Sequence, residues 1–297
     1  MLVEVVSVSD RLDVRKTYKL YIGGVFPRSE SGRSYAALDF KGEVIARVAE
    51  GTRKDLRDAV RAARGAQAKW AERAGYNRGQ ILYRTAEMVE DRADAFTSQV
   101  RQAGPTRAEA KKEVERTIDR LVWYAGWADK YVQIVGNLNP VAGPFFNIST
   151  PEPSGVIGII APEEPALVGL VSRLAPAMVS GNTVVVVASE RWPMAAITFS
   201  EALATADVPA GVVNILTGPK ANIVPYLASH MDVNGLDAYG ADPAMMTDLE
   251  VAAADSVKRV VRPPAGPINW MDDRVAQSPY AIAAFTEIKT IWHPKGV

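Results

Sequence analysis

No cysteine occurs among the 297 residues. Disulfides, thiolate metal ligands and cysteine nucleophiles are all excluded by that absence. Histidine is nearly as scarce: His230 and His293 stand far apart, with no second ligand nearby in sequence, so no metal site is expected. Net charge is missing as well, because 34 Lys and Arg balance 34 Asp and Glu. A neutral chain has no long-range pull toward nucleic acid or an anionic membrane, and neither is expected as a partner. Low net charge is compatible with self-association. No apolar run reaches the length of a membrane span, and the first residues, with Glu4 among them, do not read as a signal peptide. A cytoplasmic location is the expectation.

What is present reads as a globular α/β chain: 48% of residues are hydrophobic and 23% charged. Residues 1–17 show no clear period and are expected as an N-terminal extension. Residues 18–26 alternate and turn at Gly23-Gly24, predicting a strand and hairpin; a second hairpin is expected from Tyr35 to Val48 around Lys41-Gly42. Thr52 and Asp55 predict a capped helix with Leu56, Val60, Ala63 and Ala66 on one face. A second helix is expected from about Asn77, broken at Gly104-Pro105. A third runs from Arg107 to about Tyr131, with Val114, Ile118, Leu121, Val122 and Ala125 inward. Its charges from Arg107 to Arg120, matched by Glu109, Glu113, Glu115 and Asp119, read as a solvated face. Six tryptophans read as core or interface anchors.

Residues 136–153, rich in Pro and Gly with Phe145, Phe146 and Ile148 between, predict an extended hairpin. The period then changes. Apolar strands at 156–160, 183–187, 212–216 and weakly 235–238 alternate with helices at 166–179, 194–206 and 222–229. That order implies a parallel sheet with crossover helices. A helix at 248–258 precedes Arg262-Pro-Pro-Ala-Gly-Pro267, expected as a linker. The tail from Tyr280 to Trp292 reads as a terminal strand.

Several segments together resemble the aldehyde dehydrogenase superfamily: Leu20-Tyr-Ile-Gly-Gly24, Gly42-Glu-Val-Ile-Ala46, Trp123-Tyr-Ala-Gly-Trp-Ala-Asp-Lys130, Glu152-Pro-Ser-Gly-Val-Ile-Gly-Ile-Ile160, Leu174-Ala-Pro-Ala177, Gly181-Asn-Thr-Val-Val185, Val208-Pro-Ala-Gly-Val-Val-Asn214 and Phe285-Thr-Glu-Ile-Lys-Thr-Ile-Trp292. The resemblance implies a Rossmann-like parallel sheet domain of aldehyde dehydrogenase type, with a β-hairpin and C-terminal strand forming an oligomerisation arm. The implied division is 18–134 and 154–262 for the dinucleotide-binding-like domain and 135–153 and 276–297 for the arm. Residues 263–275 form a linker where the family has its catalytic domain.

The site residues are read through the same resemblance. The family's thiolate nucleophile has no counterpart. Its oxyanion-donating Asn falls at Glu164 in Pro162-Glu163-Glu164-Pro165, where a carboxylate would repel an oxyanion. Its ribose-binding Lys falls at Val187, with only Glu190 kept. Its Phe-Thr-Gly-Ser turn reads Ala238-Tyr239-Gly240-Ala241, followed by Asp242. Its general-base Glu falls at Pro263. No catalytic residue is therefore expected. Glu190, Gly218 and Gly240 are residual cofactor-binding candidates, and no cofactor is expected, with NAD or NADP as the alternative. Phe145, Phe146, Ile148, Phe285, Ile288, Ile291 and Trp292 are expected to mediate oligomerisation. The function expected is that of a catalytically inactive subunit pairing with a full-length aldehyde dehydrogenase. The alternatives are a residual NAD(P)-binding oxidoreductase and a homo-oligomeric scaffold.

Overall fold

The runs of branched apolar residues become the central five-stranded sheet of the computed structural model, which describes residues 16–296. In chain order, β1 (Thr17–Tyr18), β2 (Ser34–Leu38) and β3 (Val44–Ala49) come first. The helices α1 (Arg53–Ala71), α2 (Gly75–Asp91), α3 (Ala93–Val100), α4 (Arg107–Trp127) and α5 (Tyr131–Val135) follow. The strands β4 (Asn137–Asn139) and β5 (Phe145–Pro153) lead into β6 (Val156–Ile160), α6 (Ala166–Val179), β7 (Thr183–Val187), α7 (Met194–Thr205), β8 (Val213–Leu216), α8 (Lys220–Ser229) and β9 (Gly235–Asp237). Then come α9 (Met246–Ala254), β10 (Arg259–Val261), α10 (Asp273–Ala276), α11 (Pro279–Ala283) and β11 (Thr286–Pro294). The expected extension at residues 1–17 lies mostly outside the described residues.

The central sheet runs β10-β9-β6-β7-β8, every pair parallel. Because successive side chains point to opposite faces, a strand covered on both sides must be apolar throughout, which is why β6 and β7 carry no alternation. Ile157, Ile159, Val184, Val186, Val213 and Ile215 meet α6 and α7, with α2 and α4 packed outside them. Val156, Ile160, Val185, Val187 and Leu216 meet α1 and α8. Gly158 lets α8 approach the sheet: a Cβ there would lie 2.9 Å from the Leu227 side chain. The helix α1 opens with the expected reciprocal cap between Thr52 and Asp55. Asp55 also accepts from the Ser29 hydroxyl at 2.9 Å and the Glu30 N–H at 3.0 Å, so the cap doubles as a tie to the preceding loop.

The structure departs from the sequence reading in five places. The segment 18–26 is not one strand: Thr17–Tyr18 pairs with β3, and Tyr21 bridges instead to Ile215 of the central sheet. Its turn does form, since Ile22 and Val25 exchange both hydrogen bonds around Gly23 and Gly24, at φ 61° and 79°. Val122 faces solvent, because the buried stripe of α4 passes through Ala110, Val114, Leu121 and Tyr124. Glu113 and Arg120 do not belong to a solvated face; both are buried. Tyr280 begins no strand: Ser278 caps α11, Pro279 takes its first position, and extended pairing starts only at Thr286. Residues 263–275 pack in part: Trp270 is buried and clusters with the following Ala276 on Val168 of α6, while residues 264–267 are exposed.

The third sheet, β11-β5-β4, is antiparallel. β11 pairs with β5 along all its residues from Thr286↔Pro153 to Pro294↔Phe145, and beyond Thr286 its side chains are all exposed. Its root is held by Asn182, which is fully buried and donates to the Phe285 carbonyl at 2.9 Å while accepting from the Gly155 N–H at 2.8 Å. Arg259 adds bonds to the carbonyls of Ala284 and Thr286 at 2.9 and 2.8 Å.

Candidate functional site

Sheet order reverses between β6 and β9: the chain steps from β6 to β7 and β8 on one side, then to β9 and β10 on the other. Loops leaving the carboxyl ends of strands diverge at such a point, and a crevice results that commonly takes ligands. Here the loops after β6 and β9 are joined across the crevice by Lys220, the first residue of α8. Its ammonium donates to the Ala161 carbonyl at 2.7 Å and the Gly240 carbonyl at 2.9 Å, and it pairs with the Glu163 carboxylate. Gly240 has no room for a side chain, because a Cβ would collide with the Ala161 backbone.

Glu163 gathers further donors from the loop after β7: the Ser189 hydroxyl at 2.7 Å, the Arg191 N–H at 3.1 Å and the Glu190 N–H at 3.3 Å. Burial works against its charge, but Lys220, with Ser189 and Arg191, holds its carboxyl below the ordinary carboxylate value. Glu190 accepts from the Lys220 N–H at the start of α8, at 3.0 Å. Gly218 stands just before that helix at φ +136°, against the Gly51 N. Burial, followed by the nearby charges of Glu190 and Glu163, pushes the Tyr35 phenol upward.

Two other N-termini around the crevice have their own acids. Asp242 accepts from the Ala244 N–H at 2.9 Å. Glu113 reaches from α4 to accept from the Leu167 and Val168 N–H groups at 3.1 and 3.3 Å, capping α6 where its N-cap, Pro165, offers no side-chain bond. Glu164 lies outward, paired with Arg191 at 3.1 Å and accepting from the Trp192 indole at 3.0 Å.

On the far side of α6 a cavity of about 290 Å³ lies between Arg173, Tyr239 and the segment from Pro264 to Ala284. At its floor Arg173 donates to Asp237 at 2.7 Å, and the Tyr239 ring covers the guanidinium at 3.6 Å. Burial opposes the Arg173 charge, yet Asp237 holds its pKa above the usual guanidinium value, while burial pushes the Asp237 carboxyl up against the pull of Arg173. Arg120 fastens the covering segment: it donates to the Trp270 carbonyl at 3.2 Å, the Ala276 carbonyl at 3.0 Å, Asp273 at 3.0 Å and the Ser172 hydroxyl. Arg116 holds the other Asp273 oxygen at 2.8 Å.

A family model for the aldehyde dehydrogenase family matches residues 28–263. The chain belongs to the aldehyde dehydrogenase family. The mitochondrial benzaldehyde dehydrogenase of Antirrhinum majus is 36% identical over 247 residues, which are 82% of this chain and 46% of that protein. Among solved structures, HpcC from Thermus thermophilus aligns at a TM-score of 0.79 and 29% identity, over 83% of this chain and 48% of its own. An NAD+ complex of the aldehyde dehydrogenase from Bacillus cereus aligns at a TM-score of 0.78 and 24% identity, over 83% of this chain and 50% of its own, a likeness of fold alone. The chain spans about half the length of the curated relatives it matches.

Phosphates at a strand-end crevice depend on unengaged backbone N–H groups at helix N-termini. Here leading donors of α6 and α8, and those of the loop after β7, are engaged by Glu113, Glu190 and Glu163. These donors already have acceptors within the chain. Glu190, Gly218 and Gly240 lie around one crevice, where one Glu190 oxygen accepts from the Lys220 N–H and Gly240 is pressed against Ala161. Among the described residues no group of three or more His, Asp or Glu side chains converges on a metal position, and no helix is long and apolar enough to cross a membrane.

Of the arm residues, Phe145, Phe146, Ile148, Ile288, Ile291 and Trp292 are exposed. Phe285 is not: it is fully buried, packed against Gly235 in the main core, so it anchors the arm and cannot face a partner. Sequence reasoning missed Glu113, Arg120 and Lys220. The first two carried a signal, since Glu113, Thr117, Arg120 and Tyr124 repeat at helical spacing within the buried stripe of α4. Lys220 carried none.

Proposed function

We propose that this chain is a non-catalytic subunit of aldehyde dehydrogenase type, which pairs through its arm with a full-length relative and stabilises or regulates it. The observation that carries this reading is β11, a nine-residue edge strand paired on one side only, with Ile288, Ile291 and Trp292 in solvent. A long strand edge flanked by apolar side chains is a template for another chain, and soluble monomers rarely leave one uncovered. Phe145 and Trp292 pack edge to face on one side of the arm, while Leu138, Ile148 and Ile291 lie in register across the other. Both surfaces thereby offer apolar contact to a receiving sheet.

The absence of cysteine supports the non-catalytic half of the proposal. The engaged donors of the crevice weigh against the alternative of a residual NAD(P)-binding oxidoreductase, although the Bacillus cereus relative is known as an NAD+ complex. A homo-oligomeric scaffold would use the same edge with a second copy. Co-expression of the tagged chain with an untagged full-length aldehyde dehydrogenase, read by light scattering after affinity capture, separates these. The expected result is a hetero-oligomer that Ile291→Lys together with Trp292→Lys abolishes. A monodisperse monomer in the presence of that partner sinks the reading, and a stable homo-oligomer that excludes it favours the scaffold.

A further inference from the structure

We infer that Glu163 is an internal anion: its carboxylate occupies the donor set that a ligand phosphate would need at the crevice, and Lys220 locks it in place. Four donors converge on this one side chain, namely the Lys220 ammonium, the Ser189 hydroxyl and the N–H groups of Glu190 and Arg191. Successive backbone N–H groups with a hydroxyl and an ammonium form the kind of concavity that binds phosphate. They come from the loop after β7 and the start of α8, while the acid comes from the loop after β6, so the bond set closes the crevice from several sides.

The donor inventory is complete. An ammonium has three hydrogens. Those of Lys220 go to Ala161, Gly240 and Glu163, and the residue is buried, so none remains for a ligand. A diphosphate entering here would also meet the charge of Glu163, and that of Glu190 on the Lys220 N–H. Removal of the carboxylate reverses the situation. The ammonium and the two N–H groups lose this acceptor together, the Ser189 hydroxyl keeps only the Glu163 main-chain carbonyl at 3.2 Å, and a buried cation is left in need of an anion. Glu163 is thus a stopper in a latent anion site.

The reading does not rest on partner pairing, because substitutions in the arm leave Glu163 untouched and the two can fail separately. The test is calorimetry and thermal shift with inorganic pyrophosphate and with NAD on the full chain and on Glu163→Ala. The wild type is expected to give no heat with either up to about 10 mM, while the alanine variant gains pyrophosphate affinity of about tenfold or more. Adding Lys220→Met to that variant removes the gain. Glu163→Ser carries the same expectation where the alanine variant does not fold. Sub-millimolar binding of pyrophosphate or NAD by the wild type overturns the inference, as does a folded Glu163 variant that binds pyrophosphate no better than the wild type.

Discussion

At the scale of the residue, the charges that matter are those the fold withdraws from water. A buried ion costs several kcal/mol in desolvation and persists only where hydrogen bonds and an opposite charge repay it. Arg173 with Asp237, Arg120 with Asp273, and Lys220 with Glu163 each meet that condition. The folded-state pKa of Glu163 lies below its ordinary value of 4.5. Its contribution to stability is therefore fully present above that ordinary value and is lost as pH falls through the lower, folded one. Glu163→Gln is expected to flatten the acid side of the Tm-versus-pH curve below about pH 5. Parallel curves for the variant and the wild type would show that the ion pair contributes nothing to folding.

At the scale of the element, the last strand divides into an anchor and a probe. Phe285 fills core space beneath Gly235, whereas Trp292 stands in solvent at the far end of the same segment. Emptying a buried aromatic site costs about 3–5 kcal/mol, while an exposed substitution falls within about 0.5 kcal/mol. Phe285→Ala is accordingly expected to lower the urea midpoint sharply and Trp292→Ala to leave it nearly unchanged. Equal effects would mean that the tip of the arm is folded against the body in solution. The alternation of Thr286 to Trp292 was legible because a strand imposes a period of two. The shift to α11 upstream was less so, since residues 280–284 are compatible with either state and Ser278 with Pro279 decides it locally.

At the scale of the whole molecule, the segment from Pro264 to Ala284 covers the flank of α6 that carries Val168. Thirteen residues of α6, from Leu167 to Val179, are buried, and Val168 meets Trp270 and Ala276 from that segment. Arg120 is the fastening, with four acceptors drawn from α6 and the covering segment. Arg120→Met is expected to accelerate proteolytic cleavage within residues 264–284 and amide exchange there, leaving β6 and β7 protected. Unchanged cleavage would place the fastening in the apolar contacts of Trp270 alone.

The order of strands and helices, the cap at Thr52 and the arm's alternation were all determined by the sequence by itself, because backbone periodicity and local hydrogen bonding act over a few residues. The absence of cysteine from the 297 residues was equally a matter of composition. Glu190, Gly218 and Gly240 could be named from motif register, but not what each touches. That Glu113 caps a helix fifty residues away, that Arg120 holds a covering segment and that Lys220 spans the crevice were decided only by the tertiary structure. A charged side chain looks the same in a sequence whether water or a buried partner solvates it, and only the packing of distant elements supplies the partner.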